Sequence, residues 1–231
     1  MKISEIFYSL QGEGSLVGVP SVFVRTSGCN LRCVWCDTPY SSWSPEGSEM
    51  SVADIVAEVR RYSSARHVVV TGGEPMIAPG IVALTEQLSA RRYHITMETA
   101  GTVFEPVQCH LMSISPKLSN STPAPGTISN AWRARHERDR LRPEILREWV
   151  MNYDYQLKFV IRDEADLEEV RALMARELPT VPPWKVLLMP EGVDSEALIA
   201  RRGMVLDFCL KTGYRFCDRL HIHLFGNTRG T

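Results

Sequence analysis

The sequence predicts an α/β fold built on a mostly parallel sheet. Short β-rich runs recur along the chain, and segments with helix-period apolar residues separate them. The length of 231 residues suits one domain with a full core and is short for two.

In chain order, strands are expected at Phe23–Arg25, His67–Val70, His94–Met97, His110–Ile114, Gln156–Ile161, Lys185–Met189 and Leu220–Leu224, where β-branched and other apolar residues cluster. Helices are expected at Ser51–Tyr62, Gly80–Ala90, Glu164–Arg176 and Ser195–Thr212. Ser51 suits an N-cap with Asp54 three residues on, and Asp163 suits the start of the third helix. Pattern alone does not separate an open sheet from an incomplete barrel. One stretch breaks the rhythm. Ser119–Ser129 is turn-rich, and Arg133-Ala-Arg-His-Glu-Arg-Asp-Arg140 is a charge run. Residues 118–140 therefore read as a surface insertion of loop and solvated helix, or as a lid over a site. Glu137 and Asp139 interrupt the arginines, which argues against a nucleic-acid patch.

Composition narrows the classes. Lys plus Arg is 26 and Asp plus Glu is 27, so the net charge of −1 gives no global attraction for nucleic acid or an anionic membrane. No apolar stretch is long enough to span a bilayer, and the first residues show no leader pattern. The six cysteines form no disulfide pattern, which points to a reducing, cytoplasmic setting.

The chemistry starts at Gly28-Cys-Asn-Leu-Arg-Cys-Val-Trp-Cys-Asp37, where Cys29, Cys33 and Cys36 stand as C-x3-C-x2-C. Three thiolates can hold three corners of a [4Fe–4S] cluster, which ordinarily takes four cysteines, and leave one iron open to a small molecule. Zinc and plain buried thiols are the alternatives. Structural zinc wants four ligands, usually as two pairs, and Cys109, Cys209 and Cys217 are scattered. Thr71-Gly-Gly-Glu-Pro75 follows an apolar run, where glycines let backbone approach a ligand at a strand end; alone it is also a plain turn. His221 and His223 alternate on the expected last strand and share a face, as a metal pair or ordinary strand residues.

The cysteine spacing together with the GGEP segment resembles the radical S-adenosylmethionine (radical SAM) enzymes. Ser9-Leu-Gln-Gly-Glu-Gly14, Gly18–Arg25, Glu98-Thr-Ala-Gly-Thr102 and Ser113-Ile-Ser-Pro-Lys117 narrow it to the 7-carboxy-7-deazaguanine synthases of queuosine biosynthesis, clearly from residue 5 to about 117. The resemblance implies a modified, shortened radical SAM partial (β/α) barrel. It implies a lyase that converts 6-carboxy-5,6,7,8-tetrahydropterin to 7-carboxy-7-deazaguanine with loss of ammonia. Its implied means are hydrogen abstraction by a 5′-deoxyadenosyl radical and a magnesium-assisted ring contraction.

Residue by residue, the resemblance assigns the [4Fe–4S] cluster to Cys29, Cys33 and Cys36 and Mg2+ to Thr38. It assigns S-adenosylmethionine to Trp35, Cys36, Asp37, Gly73, Glu74, Ser115, Pro116 and Lys117, with Leu188, Met189, Pro190 and Glu191 near the adenine. The pterin falls to Leu10, Gln11, Gly12, Glu13, Arg25, Thr71 and Glu98, and to the terminal carboxylate of Thr231. Arg25 suits a carboxylate because a guanidinium pairs bidentately. A flavodoxin or ferredoxin as electron donor and a homodimer belong to the same implied picture. Two rivals stay open: a radical SAM activating enzyme that makes a glycyl radical on a partner protein, and a non-enzymatic zinc module.

Overall fold

The computed structural model describes residues 1–231. Nine strands form one sheet: β1 (Lys2–Leu10), β2 (Pro20–Thr26), β3 (Ser48–Glu49), β4 (His67–Gly72), β5 (His94–Thr99), β6 (Leu111–Ile114), β7 (Tyr155–Ile161), β8 (Val186–Pro190) and β9 (Arg215–Phe216). Their order is β3-β1-β2-β4-β5-β6-β7-β8-β9. From β2 to β9 every pairing is parallel, whereas β1 runs antiparallel to both β2 and β3. The end strands β3 and β9 do not meet, so the sheet is an open, partial barrel.

Helices fill the crossovers between parallel strands, except from β5 to β6, where residues 100–110 carry no helix. They are α1 (Pro39–Ser42), α2 (Val52–Arg60), α3 (Ile81–Ser89), α4 (Asn130–Asp139), α5 (Pro143–Asn152), α6 (Glu164–Glu177), α7 (Ser195–Thr212) and α8 (Leu220–Phe225). Ser51 caps α2 by accepting from the Asp54 N–H, and Asp163 opens α6 in a capping box with Asp166.

Alternation along the strands sorts the two faces. Val22 and Val24, Val68 and Val70, Leu157, Phe159 and Ile161, and Val186 and Leu188 point into one large core under the helices. Their neighbours Phe23, Val69, Val160, Leu187 and Met189 point to the other face in smaller clusters. Gln156 and Lys158 share that second face, and a parallel sheet buried on both sides leaves such polar side chains little water.

At the amino ends of β4 and β5 three histidine rings cluster, His94 stacked on His110 and tilted against His67. Centroids are 4.8 Å apart for His67 and His94 and 4.7 Å for His94 and His110. His67 meets Ser21 Oγ at 2.6 Å and Thr96 Oγ1 at 2.9 Å, and burial holds its imidazole down at about 4.

Residues Leu220–Leu224 form the helix α8 rather than the strand their alternation suggested. The edge position beside β8 is already taken by β9, and the Leu220 N–H turns away to donate to Gly12 O at 2.9 Å. Only Ile222 of α8 is buried. Strand β1 and helix α5 were not anticipated. In β1 a register shift between Ile3 and Glu5 spoils the alternation that would have marked it.

Candidate active site

The carboxyl ends of β2, β4, β5, β6, β7 and β8 open onto one cavity of about 480 Å³, within the range of ligand pockets. The cysteine loop forms one wall. It is stitched to the GGEP loop by Glu74 N–H donating to Gly28 O at 2.9 Å, and to α1 by Gly28 N–H donating to Ser41 O at 2.8 Å. Gly73 sits so close that a Cβ there would lie 2.2 Å from Gly28 O and 2.5 Å from Ser41 O. Glycine is required at that crossing.

Cys29, Cys33 and Cys36 are free and all line the cavity. Burial pushes the Cys29 and Cys33 thiols up to about 12. The Leu31 N–H donates to Cys29 Sγ at 3.3 Å, and Cys36 Sγ lies 3.1 Å from Ser42 Oγ and 3.8 Å from Thr38 Oγ1. No three His, Cys, Asp or Glu side chains in the fold gather as ligands of a single ion. Three thiols on one wall, without carboxylate or imidazole among them, fit the soft donor set of an iron–sulfur cluster better than a mononuclear centre.

A polar floor faces the thiols. Gln11 Nε2 donates to Glu98 Oε1 at 3.1 Å, and the Glu13 N–H donates back to Gln11 Oε1 at 3.2 Å. The Glu13 carboxylate pairs with the Lys158 ammonium and, at 2.9 Å, with Arg219 Nε. Arg219 also reaches Asp37 and the Gly192 carbonyl. Burial alone would raise the Glu13 carboxyl, but Lys158 and Arg219 outweigh it and hold it well below the usual range. Lys158 is held ionised by Glu13 against the same burial. Gly12 has no room for a side chain, since a Cβ would stand 2.0 Å from His221 Nδ1.

Arg25 stands at the end of β2 and donates to Glu5 at 2.6 Å, where Tyr40 OH also donates at 3.0 Å. Phe7 and Phe23 stack beneath with centroids 4.9 Å apart. The terminal segment closes this side. Arg229 binds Glu46 at 2.9 Å and Glu5 at 3.3 Å and covers the Tyr40 ring, which brings Thr231 to the cavity edge.

Most of the residues singled out from sequence meet here. Leu10, Gln11, Gly12, Glu13, Arg25, the three cysteines, Trp35, Asp37, Thr38, Thr71, Gly73, Glu98, Ser115, Lys117, Met189 and Thr231 all line the cavity. Lys117 Nζ donates to Ser115 Oγ at 2.8 Å and lies over the Trp35 ring at 5.5 Å.

Five do not line it. The Glu74 carboxylate is buried behind the loop, where it accepts from Thr99 Oγ1 at 2.7 Å, Ala100 N–H at 2.8 Å and Met76 N–H at 3.1 Å. The carboxylate braces the loop against β5. Pro116 is buried between Ser115 and Lys117 and, unlike them, does not line the cavity. Leu188 belongs to the helix-side core by strand alternation, Pro190 ends β8 outside the cavity, and Glu191 pairs with Arg201 at 3.2 Å. Only Met189 of that segment reaches the cavity.

None of residues 118–140 lines the cavity. The two histidines diverge on α8: His221 faces Glu13, while His223 turns to Asp218 at 3.1 Å and Ser195 at 3.3 Å. The sequence reading missed Lys158 and Arg219 as site residues and raised His221 only as half of a possible metal pair with His223. Lys158 carried a readable signal, a charge in the middle of an apolar parallel strand.

Residues 23–113 match the Radical SAM superfamily. A 7-carboxy-7-deazaguanine synthase from Halobacterium salinarum is 46% identical across 100% of this chain and 93% of its own length. One from Rhodopirellula baltica is 45% identical across 99% and 88%, and one from Pyrobaculum aerophilum is 35% identical across 100% and 97%. Among solved structures, QueE from Escherichia coli superposes with a TM-score of 0.69 at 26% identity, covering 95% of this chain and 94% of that one. With its sheet, cysteine loop and cavity, the chain belongs to the 7-carboxy-7-deazaguanine synthase family of the radical SAM superfamily.

Proposed function

We propose that this chain is itself a 7-carboxy-7-deazaguanine synthase, a carbon–nitrogen lyase that takes 6-carboxy-5,6,7,8-tetrahydropterin to 7-carboxy-7-deazaguanine and ammonia. The observation that carries this reading is a single cavity with three free thiols on one wall and Gln11, Glu98, Arg25 and Glu13–Lys158 opposite. Cys29, Cys33 and Cys36 would hold a [4Fe–4S] cluster, which with S-adenosylmethionine would supply a carbon radical able to take hydrogen from the substrate.

The chain's own residues bind and orient. The carboxylate of Glu98, aligned by Gln11, accepts from the amino and ring N–H groups of a pterin. Arg25 presents a guanidinium to the substrate carboxylate, and Glu5 holds it in place. Ser115 and Lys117, beside Trp35, receive the carboxylate end of S-adenosylmethionine, with Asp37 and Gly73 alongside and Met189 toward its adenine. The Thr38 hydroxyl, two residues past Cys36, would be the protein ligand to Mg2+, an ion that takes few protein ligands and would help orient the substrate. The terminal carboxylate of Thr231 meets the pterin edge. Leu10, Gly12 and Thr71 shape its seat. The reaction draws electrons from a small carrier protein such as a flavodoxin or ferredoxin, and the enzyme works as a homodimer in the cytoplasm.

Anaerobic incubation of reconstituted protein with carboxytetrahydropterin, S-adenosylmethionine, Mg2+ and dithionite tests the activity. Mass detection of 7-carboxy-7-deazaguanine supports it. Cleavage of the cofactor without that product would point to another radical SAM chemistry.

A further inference from the structure

Residues 118–140 line no part of the cavity, yet they grip the outside of the cysteine loop. The Arg32 N–H donates to His136 Nδ1 at 3.1 Å, and the Val34 N–H donates to the Ser121 carbonyl at 2.9 Å. Trp35 Nε1–H donates to Asn120 Oδ1 at 3.1 Å. The Arg32 guanidinium lies 4.1 Å from the centre of the Trp132 ring. These contacts hold three of the four residues from Arg32 to Trp35, the stretch that carries Cys33 and leads into Cys36.

The grip is rigid because its own parts are satisfied. His136 is fully buried. A backbone N–H only donates, so Nδ1 carries the lone pair and the ring proton sits on Nε2. From there it is given to Ser121 Oγ at 3.1 Å, whose own hydrogen goes to Leu118 O at 2.7 Å. Asn120 Nδ2 donates to Asp166 at 2.7 Å and to Val160 O at 3.1 Å, which fastens the grip to α6 and β7.

We propose that His136, with Asn120 and Ser121, positions the iron–sulfur cluster: it fixes the backbone of Arg32–Trp35 so that Cys33 and Cys36 hold their irons. This rests on the reading of Cys29, Cys33 and Cys36 as cluster ligands. Partners outside the immediate ligand shell typically change metal retention about 10- to 100-fold when removed.

The test compares wild type with His136→Leu, which removes the acceptor, and His136→Asn, which keeps a carbonyl oxygen near the place of Nδ1. Each is reconstituted anaerobically, and three readouts follow: iron and sulfide content, the rate of iron release to a ferrous chelator, and the electron paramagnetic resonance (EPR) signal of the dithionite-reduced cluster. We expect His136→Leu to release iron about tenfold faster and to give an altered signal. His136→Asn should restore both most of the way. Should His136→Leu fail to fold, Trp132→Ala, which removes a half-buried surface ring, must still speed release. A folded His136→Leu or Trp132→Ala that keeps iron and signal like wild type overturns the proposal. So does a His136→Asn no better than the leucine variant. Wild type that takes up no iron and sulfide would instead overturn the cluster reading itself.

Discussion

Replacing Glu13 by Gln would leave the Lys158 ammonium buried without its counter-charge. Side-chain exposure is 8% for Lys158 and 14% for Glu13, so water cannot stand in. Breaking a buried pair by removing one partner costs about 3–5 kcal/mol. A second bound comes from the lysine. The folded variant can always give up the proton, and doing so from an ordinary ammonium near 10.4 at pH 7.5 costs about 4 kcal/mol. The Gln carbonyl regains part of this, and Arg219 keeps Asp37, so about 3 kcal/mol is expected. For a chain of this size that lowers the melting temperature by roughly 6–12 °C. The same reasoning fixes a pH signature. At pH 9 the bound falls to about 2 kcal/mol, so the gap between variant and wild type should close as pH rises. On the acid side, the depressed Glu13 carboxyl stabilises the wild type above the ordinary carboxylate range. That contribution fades as pH falls below it, and the variant lacks this fading. Urea unfolding of cluster-free protein at pH 7.5 and 9 is the assay. Equal stability of the two proteins at pH 7.5, or a gap that grows with pH, would refute the reasoning.

Triple replacement of Cys109, Cys209 and Cys217 by Ser should leave iron and sulfide content intact, because all three lie outside the cavity wall; loss of the cluster from a folded triple variant would contradict this. Thr38→Ala should lower turnover and blunt the response to Mg2+ while the cluster is retained, and unchanged turnover at every Mg2+ concentration would remove Thr38 as ligand. Stability should also fall as pH drops from about 6.5 to about 4 because of His67. The unfolded imidazole gains a proton in that window and the folded one does not; buried His136 behaves the same way, so His67→Gln should reduce, not abolish, the slope of melting temperature against pH.

Much of the site was legible because local chemistry fixes it. The cysteine spacing, the glycines at the Gly73 crossing and the strand before Thr71 all act within a few residues of themselves. The parallel sheet followed from the alternation of β-rich runs and helices, and the caps at Ser51 and Asp163 followed from side chains that reach only their own first turn. The C-terminal part was illegible for the opposite reason. Arg219 acts on Asp37 and Glu13, far off in sequence, and nothing in its neighbours signals those partners. The run Leu220-His-Ile-His-Leu alternates over too few residues to separate strand from helix, and tertiary context decided it. Nothing local to the Gly-Gly-Glu-Pro segment signals that the Glu74 carboxylate turns to the Thr99 hydroxyl and the Ala100 and Met76 N–H groups. The charge run at Arg133 read as solvated, yet His136 within it is buried against the cysteine loop. One helix face can be exposed while a single residue on the other decides its role.

The central claim is that Cys29, Cys33 and Cys36 hold a cluster with one iron open to S-adenosylmethionine inside this cavity. The most direct measurement is the EPR spectrum of the reconstituted, dithionite-reduced protein, recorded before and after S-adenosylmethionine is added. The account expects a reduced [4Fe–4S] signal that changes on addition of the cofactor and is absent from a Cys33→Ser variant. A protein that carries zinc without sulfide, or a cluster signal indifferent to the cofactor, would contradict it.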